Sequence, residues 1–468
     1  MVAKIARRAL TGAAAPLLVL LPGPAWAAAG AAPQGVAWAL PFAGLLLSIA
    51  LFPLLAERLW HRRQGVIAAL WGGALLLPFA AAFGAAEAAS LAWHAILLDY
   101  LPFVALLFAL FSVGGGIVVQ GGPWGTPAGN TALLALGTLL ASLMGTTGAA
   151  MVLIHPLLRA NAHRKRKVHL VVFFILLVAN VGGSLTPLGD PPLFLGFLRG
   201  VPFLWPTVYM LPPLLLVAGL LLGAFWVMDS RLAAGDGAPP PERRPLRLRG
   251  LPNLALLALV IATVLMQGVW HPGEVALLGQ PIGLERLAGI VLLGATGLVS
   301  VAITPKSSLE ANFFSWAPLE EVAKLFVAIF ICMAPVLGLL HAGAAGPFGG
   351  VLALTATPEG APLPVAYFAL VGLLSAFLDN APTYVVFFEL AGGDAARLIA
   401  EDARTLLAIS CGAVFMGALT YIGNAPNFMV RAIASRRGVR MPGFLPYIGW
   451  SAGLMALPLL LVALVFFA

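Results

Sequence analysis

Charge is scarce in this sequence, and its scarcity excludes most classes of soluble protein. Only 9% of the 468 residues are Asp, Glu, Lys or Arg, whereas 61% are hydrophobic, and the mean hydropathy is +1.00. A soluble globular domain carries about 25% charged residues, because its surface must face water. The composition therefore predicts a polytopic membrane protein.

Cysteine is nearly absent, and several enzyme motifs are missing. The two cysteines, Cys332 and Cys411, lie within apolar segments, so we expect small buried side chains and not a disulfide or a metal site. The sequence has no Walker motif, no zinc-ligand spacing and no nucleophile elbow. We therefore expect no enzymatic activity, no cofactor and no nucleic-acid partner, although the net charge is +8. The expected partners are the lipid bilayer and small ions.

The N-terminus has the pattern of a secretory signal peptide. Three basic residues within the first eight precede the apolar run 9–21, and small residues, Ala25 and Ala27, follow it. We predict a signal peptide over 1–27, with an uncleaved first helix as the alternative. In either case the next segment begins on the periplasmic side of a bacterial-type inner (cytoplasmic) membrane.

Eight uninterrupted apolar segments are long enough to cross about 30 Å of hydrocarbon. They run near 37–56, 66–86, 96–119, 207–228, 251–268, 286–303, 322–341 and 443–467. Four other apolar segments are interrupted by Gly, Pro, Thr and Asn: 131–159, 168–198, 365–391 and 404–431. Because unwound backbone cannot face lipid, these four are expected to lie inside the protein or to line a cavity.

Basic residues predict the orientation of the chain. Nineteen of the 23 basic residues after the signal segment fall into five groups, at 58–63, 159–167, 231–249, 306–324 and 431–440. All five groups share the cytoplasmic side only if 131–159 and 365–391 return to the side from which they enter. Both are therefore predicted to be re-entrant hairpins, the first opening to the cytoplasm and the second to the periplasm.

The second half of the chain repeats the first at an offset of 234 residues. Segment 183–192 matches 417–426 at five of ten positions, and the same offset superposes the hairpin tips 145–148 and 379–382 by spacing alone. Five full crossings separate the two hairpins, so the second repeat is predicted to be inverted. Inverted repeats with interrupted helices are typical of secondary transporters.

The predicted fold is an all-α polytopic membrane protein built from two inverted repeats. Repeat 1 covers 34–230, a cytoplasmic linker covers 231–250, and repeat 2 covers 251–468. The eight continuous segments and the interrupted helices 168–198 and 404–431 make about ten transmembrane helices.

Two acidic residues fall deep within the predicted membrane region. Asp190 lies in the first interrupted helix, and Asp379 lies at the second hairpin tip. An ionisable residue inside a bilayer is costly and is a functional candidate by default. Unwound carbonyls, Thr hydroxyls and a carboxylate would form an oxygen site for a small alkali cation. Because burial disfavours the charged form of a carboxylate, a proton can replace the cation, and this competition is the simplest physical basis for exchange.

Further polar residues complete the candidate ion-binding set, which is Asp190, Asp379, Asn380, Thr186, Asn424, Thr146, Thr147, Thr420, Asn180 and Asn427. The narrower sodium-site candidates are Asp190, Thr186, Asp379 and Asn380. Structural roles are the alternative. Either Asp can cap the half-helix that follows it, since Asp is a favoured N-cap and Pro suits the first turn. The Thr and Asn side chains can be turn residues or hydrogen-bond partners between helices.

Three motifs resemble those of the ion transporter superfamily: TPLGDPP at 186–192, DNAP at 379–382 and GNAPN at 423–427. The chain is most similar to NhaD-type sodium/proton antiporters and to a citrate-transporter-like group of sodium:proton antiporters. The resemblance covers essentially everything after the signal segment. It implies a homodimer with a scaffold part and a mobile transport part that carries the hairpins and interrupted helices.

The hairpin tips differ from those of carboxylate transporters in this superfamily, which have Ser-Asn-Thr at both tips. The tips here read Gly-Thr-Thr at 145–147 and Asp-Asn-Ala at 379–381. A buried Asp repels a di- or tricarboxylate. The leading prediction is therefore a sodium/proton antiporter that works by alternating access. The alternatives are a sodium- or proton-coupled citrate or dicarboxylate carrier, efflux of another small solute, and a membrane scaffold.

Overall fold

The computed structural model describes residues 35–122, 124–235, 245–358 and 360–468. The predicted signal peptide, 1–27, lies outside the described residues, as do residues 236–244 of the linker.

Helices dominate the described chain. The first half contains α1 Leu40–Leu55, α2 Glu57–Phe83, α3 Ala85–His94, α4 Leu101–Gly116, α5 Pro127–Met144, α6 Thr146–Ala160, α7 Val168–Leu177, α8 Pro191–Leu198, α9 Trp205–Tyr209 and α10 Leu211–Ala233. The second half contains α11 Leu251–Val269, α12 Leu284–Ile303, α13 Lys306–Ala311, α14 Ala317–His341, α15 Gly349–Leu354, α16 Pro364–Phe377, α17 Asn380–Leu390, α18 Ala395–Ala400, α19 Ala403–Met416, α20 Ala425–Arg436 and α21 Phe444–Val462. Single turns of 3-10 helix occupy Val181–Ser184 and Gly417–Leu419, and a π-helical stretch covers Ala95–Tyr100.

The predicted fold class, an all-α polytopic membrane protein, is confirmed. Within the described ranges, nine helices are long and apolar enough to cross a membrane. Eight of them coincide with the eight predicted continuous segments, and the ninth is α5. The only strands described are short: β1 Val118–Gln120 pairs antiparallel with β2 Arg247–Arg249, and β3 Glu274–Leu277 pairs antiparallel with β4 Gln280–Gly283.

Each interrupted segment consists of two helices joined by a short irregular stretch. We call α5 with α6 the first hairpin; its arms are joined by Gly145 alone. Gly145 has φ +78°, a conformation that residues with a Cβ adopt at a cost, so glycine suits this tip. We call α16 with α17 the second hairpin, which turns at Leu378 and Asp379. The arms of each hairpin pack against one another.

The two interrupted helices are the other broken elements. The first comprises the half-helices α7 and α8, separated by the first break, 178–190. The second comprises α19 and α20, separated by the second break, 417–424. Every residue of α7 from His169 to Leu177 is buried, as expected of a helix that is apolar on all sides within a protein.

Contacts around the two breaks recur at the 234-residue offset. The Thr186 hydroxyl donates to the carbonyl of Ser142 in the first hairpin, and the Thr420 hydroxyl donates to the carbonyl of Ala376 in the second. Each hydroxyl also accepts the amide two residues further along the chain. Each break is therefore fastened to the first arm of the hairpin that precedes it.

Candidate functional site

The hairpin tips and the breaks meet around the carboxylate of Asp190, which is 1% exposed. Thr146 at the first tip donates to Oδ1 at 3.3 Å, and Asn424 in the second break donates to the same oxygen at 3.0 Å. Asn380 at the second tip donates to Oδ2 at 2.6 Å. Thr146 and Asn380 are separated by the repeat offset, so equivalent positions of the two tips bind one carboxylate.

Prolines explain why this carboxylate does not cap its own helix. Asp190 occupies the N-cap position of α8 but makes no side-chain cap bond. An N-cap side chain ordinarily accepts the N–H of the second or third helical residue. Here the second is Pro192, which has no N–H, and the amide of Leu193 donates to the backbone oxygen of Asp190 at 3.1 Å. The side chain is therefore free to reach across to the other elements.

The surroundings of Asp190 balance its charge only in part. Hydrogen bonds to a charged group contribute roughly 1.5–3 kcal/mol each, whereas burial of an unpaired carboxylate costs several kcal/mol. All three donors are neutral, and no basic side chain of the described residues forms an ion pair with Asp190. A proton or a cation at this position would supply the missing compensation.

Asp379 does cap its helix. Its Oδ1 accepts the amide of Ala381 at 3.0 Å, and its backbone oxygen accepts the hydroxyl of Thr383 at 2.9 Å. The amide at the second helical position is present here because the proline comes one residue later, at Pro382. The side chain is partly exposed to the adjoining cavities.

Two adjoining cavities reach this site. The inner cavity has a volume of about 80 Å³, enough for several water molecules. Asp190, Asp379 and Asn380 line it, and none of its described lining residues is Lys or Arg. The larger cavity, about 330 Å³, shares Asp379 and Asn424 with the inner one and extends to Arg436.

Three asparagines link the two breaks. Asn180 donates to the side-chain oxygen of Asn427 at 2.6 Å and accepts from Asn424 at 3.3 Å. Asn427 donates to the carbonyls of Gly417 and Thr420. Through Asn424, this chain of hydrogen bonds ends at Asp190.

The threonines take different places. Only Thr146 contacts the carboxylate directly. Thr147 lines the inner cavity and is partly exposed. The hydroxyls of Thr186 and Thr420 bind the hairpin arms instead, so the structure does not bring them to Asp190.

Sequence reasoning missed another buried acid, Asp229. It lies near the end of α10, fully buried, and pairs with Arg164, while His169 and Asn130 bind it at 2.8 and 3.0 Å. These groups fasten the base of the first hairpin and the start of α7 to α10. Asp229 was overlooked because it lies at a helix end close to a basic loop, where an acidic side chain is expected to be exposed to water.

Comparison with known proteins indicates a transport function. A family model described as "Putative citrate transport" matches residues 31–467. Two relatives, each named an uncharacterized transporter, come from Mycobacterium bovis and Mycobacterium tuberculosis. Each is 28% identical over 333 residues, which covers 67% of this chain and 71% of the relative. Since the family model spans nearly the entire chain, the protein belongs to this family of membrane transporters.

Proposed function

We propose that this transporter is a sodium/proton antiporter that works by alternating access. The observation that carries the proposal is the inner cavity, where Asp190 and Asp379 face the same space and the described lining residues include no Lys or Arg. Two like charges in a low-dielectric cavity repel one another, so each is stabilised by a small cation or by a proton.

The ligands around Asp190 suit such an exchange. The amides of Asn380 and Asn424 turn their N–H groups toward the carboxylate. A side-chain amide also carries an oxygen, and rotation of either amide would present that oxygen to a bound cation. Carboxylate and amide oxygens are hard ligands suited to a hard cation such as sodium. When a proton replaces the cation, an amide N–H can again donate to the carboxyl oxygen that does not carry the proton.

Transport of citrate is the second candidate, and the family description fits it. The larger cavity, with Arg436 in its wall, is the place where an organic anion would enter. A tricarboxylate that reached the inner cavity would meet two acidic side chains, and such like-charge juxtaposition costs several kcal/mol. We therefore prefer cation exchange.

Transport by purified protein in liposomes tests the two candidates. A pH dye is enclosed, and Na⁺, Li⁺, K⁺ or citrate is added outside. We expect a Na⁺ pulse to raise the internal pH, because sodium enters as protons leave. Liposomes containing Asp190→Asn protein are the matched control. Uptake of labelled citrate, without a cation-dependent pH change, would replace the proposal by the carboxylate carrier.

We also propose two inverted repeats in an inner membrane, with the mature N-terminus in the periplasm and the protein assembled as a homodimer. The distribution of basic loops supports this orientation. Single cysteines in 162–167 and 392–402, in a background that lacks Cys332 and Cys411, are expected to react from opposite sides of the membrane. Reaction of both from one side would rule out the inverted arrangement.

A further inference from the structure

A cluster of charged side chains lies outside the candidate site, at the far ends of two of its helices. Arg199, just after α8, bonds Glu389 of α17 at 3.2 Å and Asp99 at 3.4 Å. The other oxygen of Glu389 bonds His341, the last residue of α14, at 2.9 Å. We call Asp99, Arg199, His341 and Glu389 the ionic clasp.

The clasp and the candidate site occupy opposite ends of the same pair of helices. The helices α8 and α17 pack side by side. Asp190 immediately precedes α8, and Asn380 begins α17. At 1.5 Å per residue, the eight residues of α8 place Arg199 about 12 Å from the site along the helix axis.

The path from the site toward the clasp is closed. Beyond Phe194 in α8 and Asn380 in α17, no residue of either helix lines the two cavities, so far as these are described. Further along, Gly196 packs so closely on the hydroxyl of Tyr384 that a Cβ atom would not fit. The cavities instead lead away from the site to Arg436.

The clasp fastens the helices of the site to elements that contribute nothing to the hydrogen bonds of Asp190. Asp99 belongs to the π-helical stretch Ala95–Tyr100, and His341 ends α14. Arg286 of α12 adds a bond of 2.7 Å to the carbonyl of Leu198, the last residue of α8. The far ends of α8 and α17 are thus held by three separate elements.

The repeat offset relates Glu389 to His155 of the first hairpin. His155 bonds the carbonyl of Asn312, shortly before α14 begins, at 3.0 Å. The second arm of each hairpin therefore contacts the chain at, or a few residues before, one end of α14. At the closed end this contact is an ionic network. At the end where the larger cavity lies, it is a hydrogen bond to the backbone.

Resting on the proposed function, we propose that the ionic clasp is the gate on the side away from the cavities. Alternating access exposes a central site to one side at a time. When Asp190 becomes accessible from the clasp side, the bonds of Arg199 to Asp99 and of Glu389 to His341 break, and α8 and α17 move relative to α14. Glu389 and Arg199 are therefore gating residues, although they do not touch the transported ion.

Reversible cross-linking tests whether the clasp must open. Cysteines replace His341 and Glu389 in a background with Cys332→Ala and Cys411→Ala, and a short thiosulfonate cross-linker joins them. We expect sodium/proton exchange to fall at least tenfold and to recover on reduction.

The control pair is Ser90→Cys with Gln280→Cys, whose native side chains bond at 3.0 Å outside the hairpins and interrupted helices. Its cross-link should leave exchange unchanged. Exchange at the full rate with 341 and 389 linked would overturn the gate.

A labelling measurement in detergent keeps the test independent of the transported ion. Met429→Cys places a thiol in the wall shared by both cavities. When Glu389→Gln is added to Met429→Cys, we expect the thiol to react with a maleimide at least threefold more slowly. The reason is that a smaller fraction of the protein then has the clasp closed. An unchanged labelling rate would overturn the gate without touching the proposed function. Absence of sodium-dependent proton flux in the parent protein would overturn the proposed function alone.

Discussion

The first and second breaks end on residues with the same backbone conformation but different chemistry. Asp190 has φ −142° and ψ 142°, and its repeat equivalent, Asn424, has φ −152° and ψ 136°. Each precedes a half-helix with proline at its second position, and neither caps that helix through its side chain. The two side chains bond each other at 3.0 Å. The two breaks therefore share the local backbone at this position, but only the first break carries a charged side chain there.

The hairpin tips show the same division. Thr146 and Asn380 are equivalent, and both donate to Asp190. The residues that precede them are Gly145 and Asp379. Asp379, the second acidic residue of the cavity, therefore corresponds to a glycine, which has no side chain, in the first repeat. One repeat supplies the buried carboxylate, and the other supplies the carboxylate at the cavity wall.

Removal of the buried charge is expected to have the largest effect. Asp190→Asn makes the two breaks chemically alike, and the site loses both its negative charge and its exchangeable proton. We expect the apparent affinity for Na⁺ to fall about 100-fold, roughly 2.8 kcal/mol. The measurement is Na⁺-dependent proton flux in proteoliposomes.

Thermal unfolding in detergent supplies the control for this variant. Asn fits the same volume and keeps the break, so the melting temperature should stay close to that of the parent. Native Na⁺ dependence in Asp190→Asn would show that the buried carboxylate serves structure alone.

Loss of the second charge should have a smaller effect. Asp379→Asn preserves a favoured N-cap residue, so we expect a stability change of only a few tenths of a kcal/mol. Without this carboxylate the cavity holds one negative charge, and we expect the apparent Na⁺ affinity to fall about tenfold, roughly 1.4 kcal/mol. A flux titration that matches the parent at every Na⁺ concentration would remove Asp379 from the mechanism.

Exchange of the two break residues tests how equivalent the breaks are. In Asp190→Asn combined with Asn424→Asp, the carboxylate stays in the same cavity but projects from the other repeat. Because the two side chains already touch, we expect about a fivefold recovery of flux over Asp190→Asn alone, on the order of 1 kcal/mol. The single variant Asn424→Asp is the matched control. No recovery in a folded double variant would show that the ion site depends on the geometry of the first break.

The smallest effects are expected at the fastening threonines. Thr186→Val and Thr420→Val each remove a hydroxyl that links a break to a hairpin arm, at a cost of roughly 1 kcal/mol of stability. We expect similar losses in thermal stability for both variants and less than a twofold change in Na⁺ affinity. A large loss of affinity in Thr186→Val alone would place that hydroxyl at the ion.

Much of the fold could be predicted from composition and spacing. Long apolar segments mark membrane spans, because the hydrocarbon thickness sets the length that each helix needs. The prediction that Cys332 and Cys411 are free and buried is confirmed. The cap alternative illustrates a limit. Asp190 and Asp379 look alike in sequence, yet only Asp379 caps its helix. The distance from each Asp to the next proline is the feature of the sequence that distinguishes the two.

Contacts between distant segments could not be predicted in this way. The bond between Asn380 and Asp190 joins residues 190 positions apart, and no local periodicity encodes such a pair. Asp229 was missed because its partners, Arg164 and His169, come from a loop and a helix start that only folding brings together.

The sequence by itself determined the membrane class, the lengths of the spans, the positions of the four interruptions and the scarcity of charge in the core. These follow from local chemistry, since hydrocarbon accepts apolar side chains and rejects unpaired backbone. Only the tertiary structure decided that Asp190 receives its hydrogen bonds from three other elements and that Thr186 faces a hairpin arm. It also decided that the ends of α8 and α17 are closed by charged groups from elsewhere in the chain. The physical reason is that packing determines which hydrogen-bond donors lie near a buried carboxylate, and packing is a property of the entire chain.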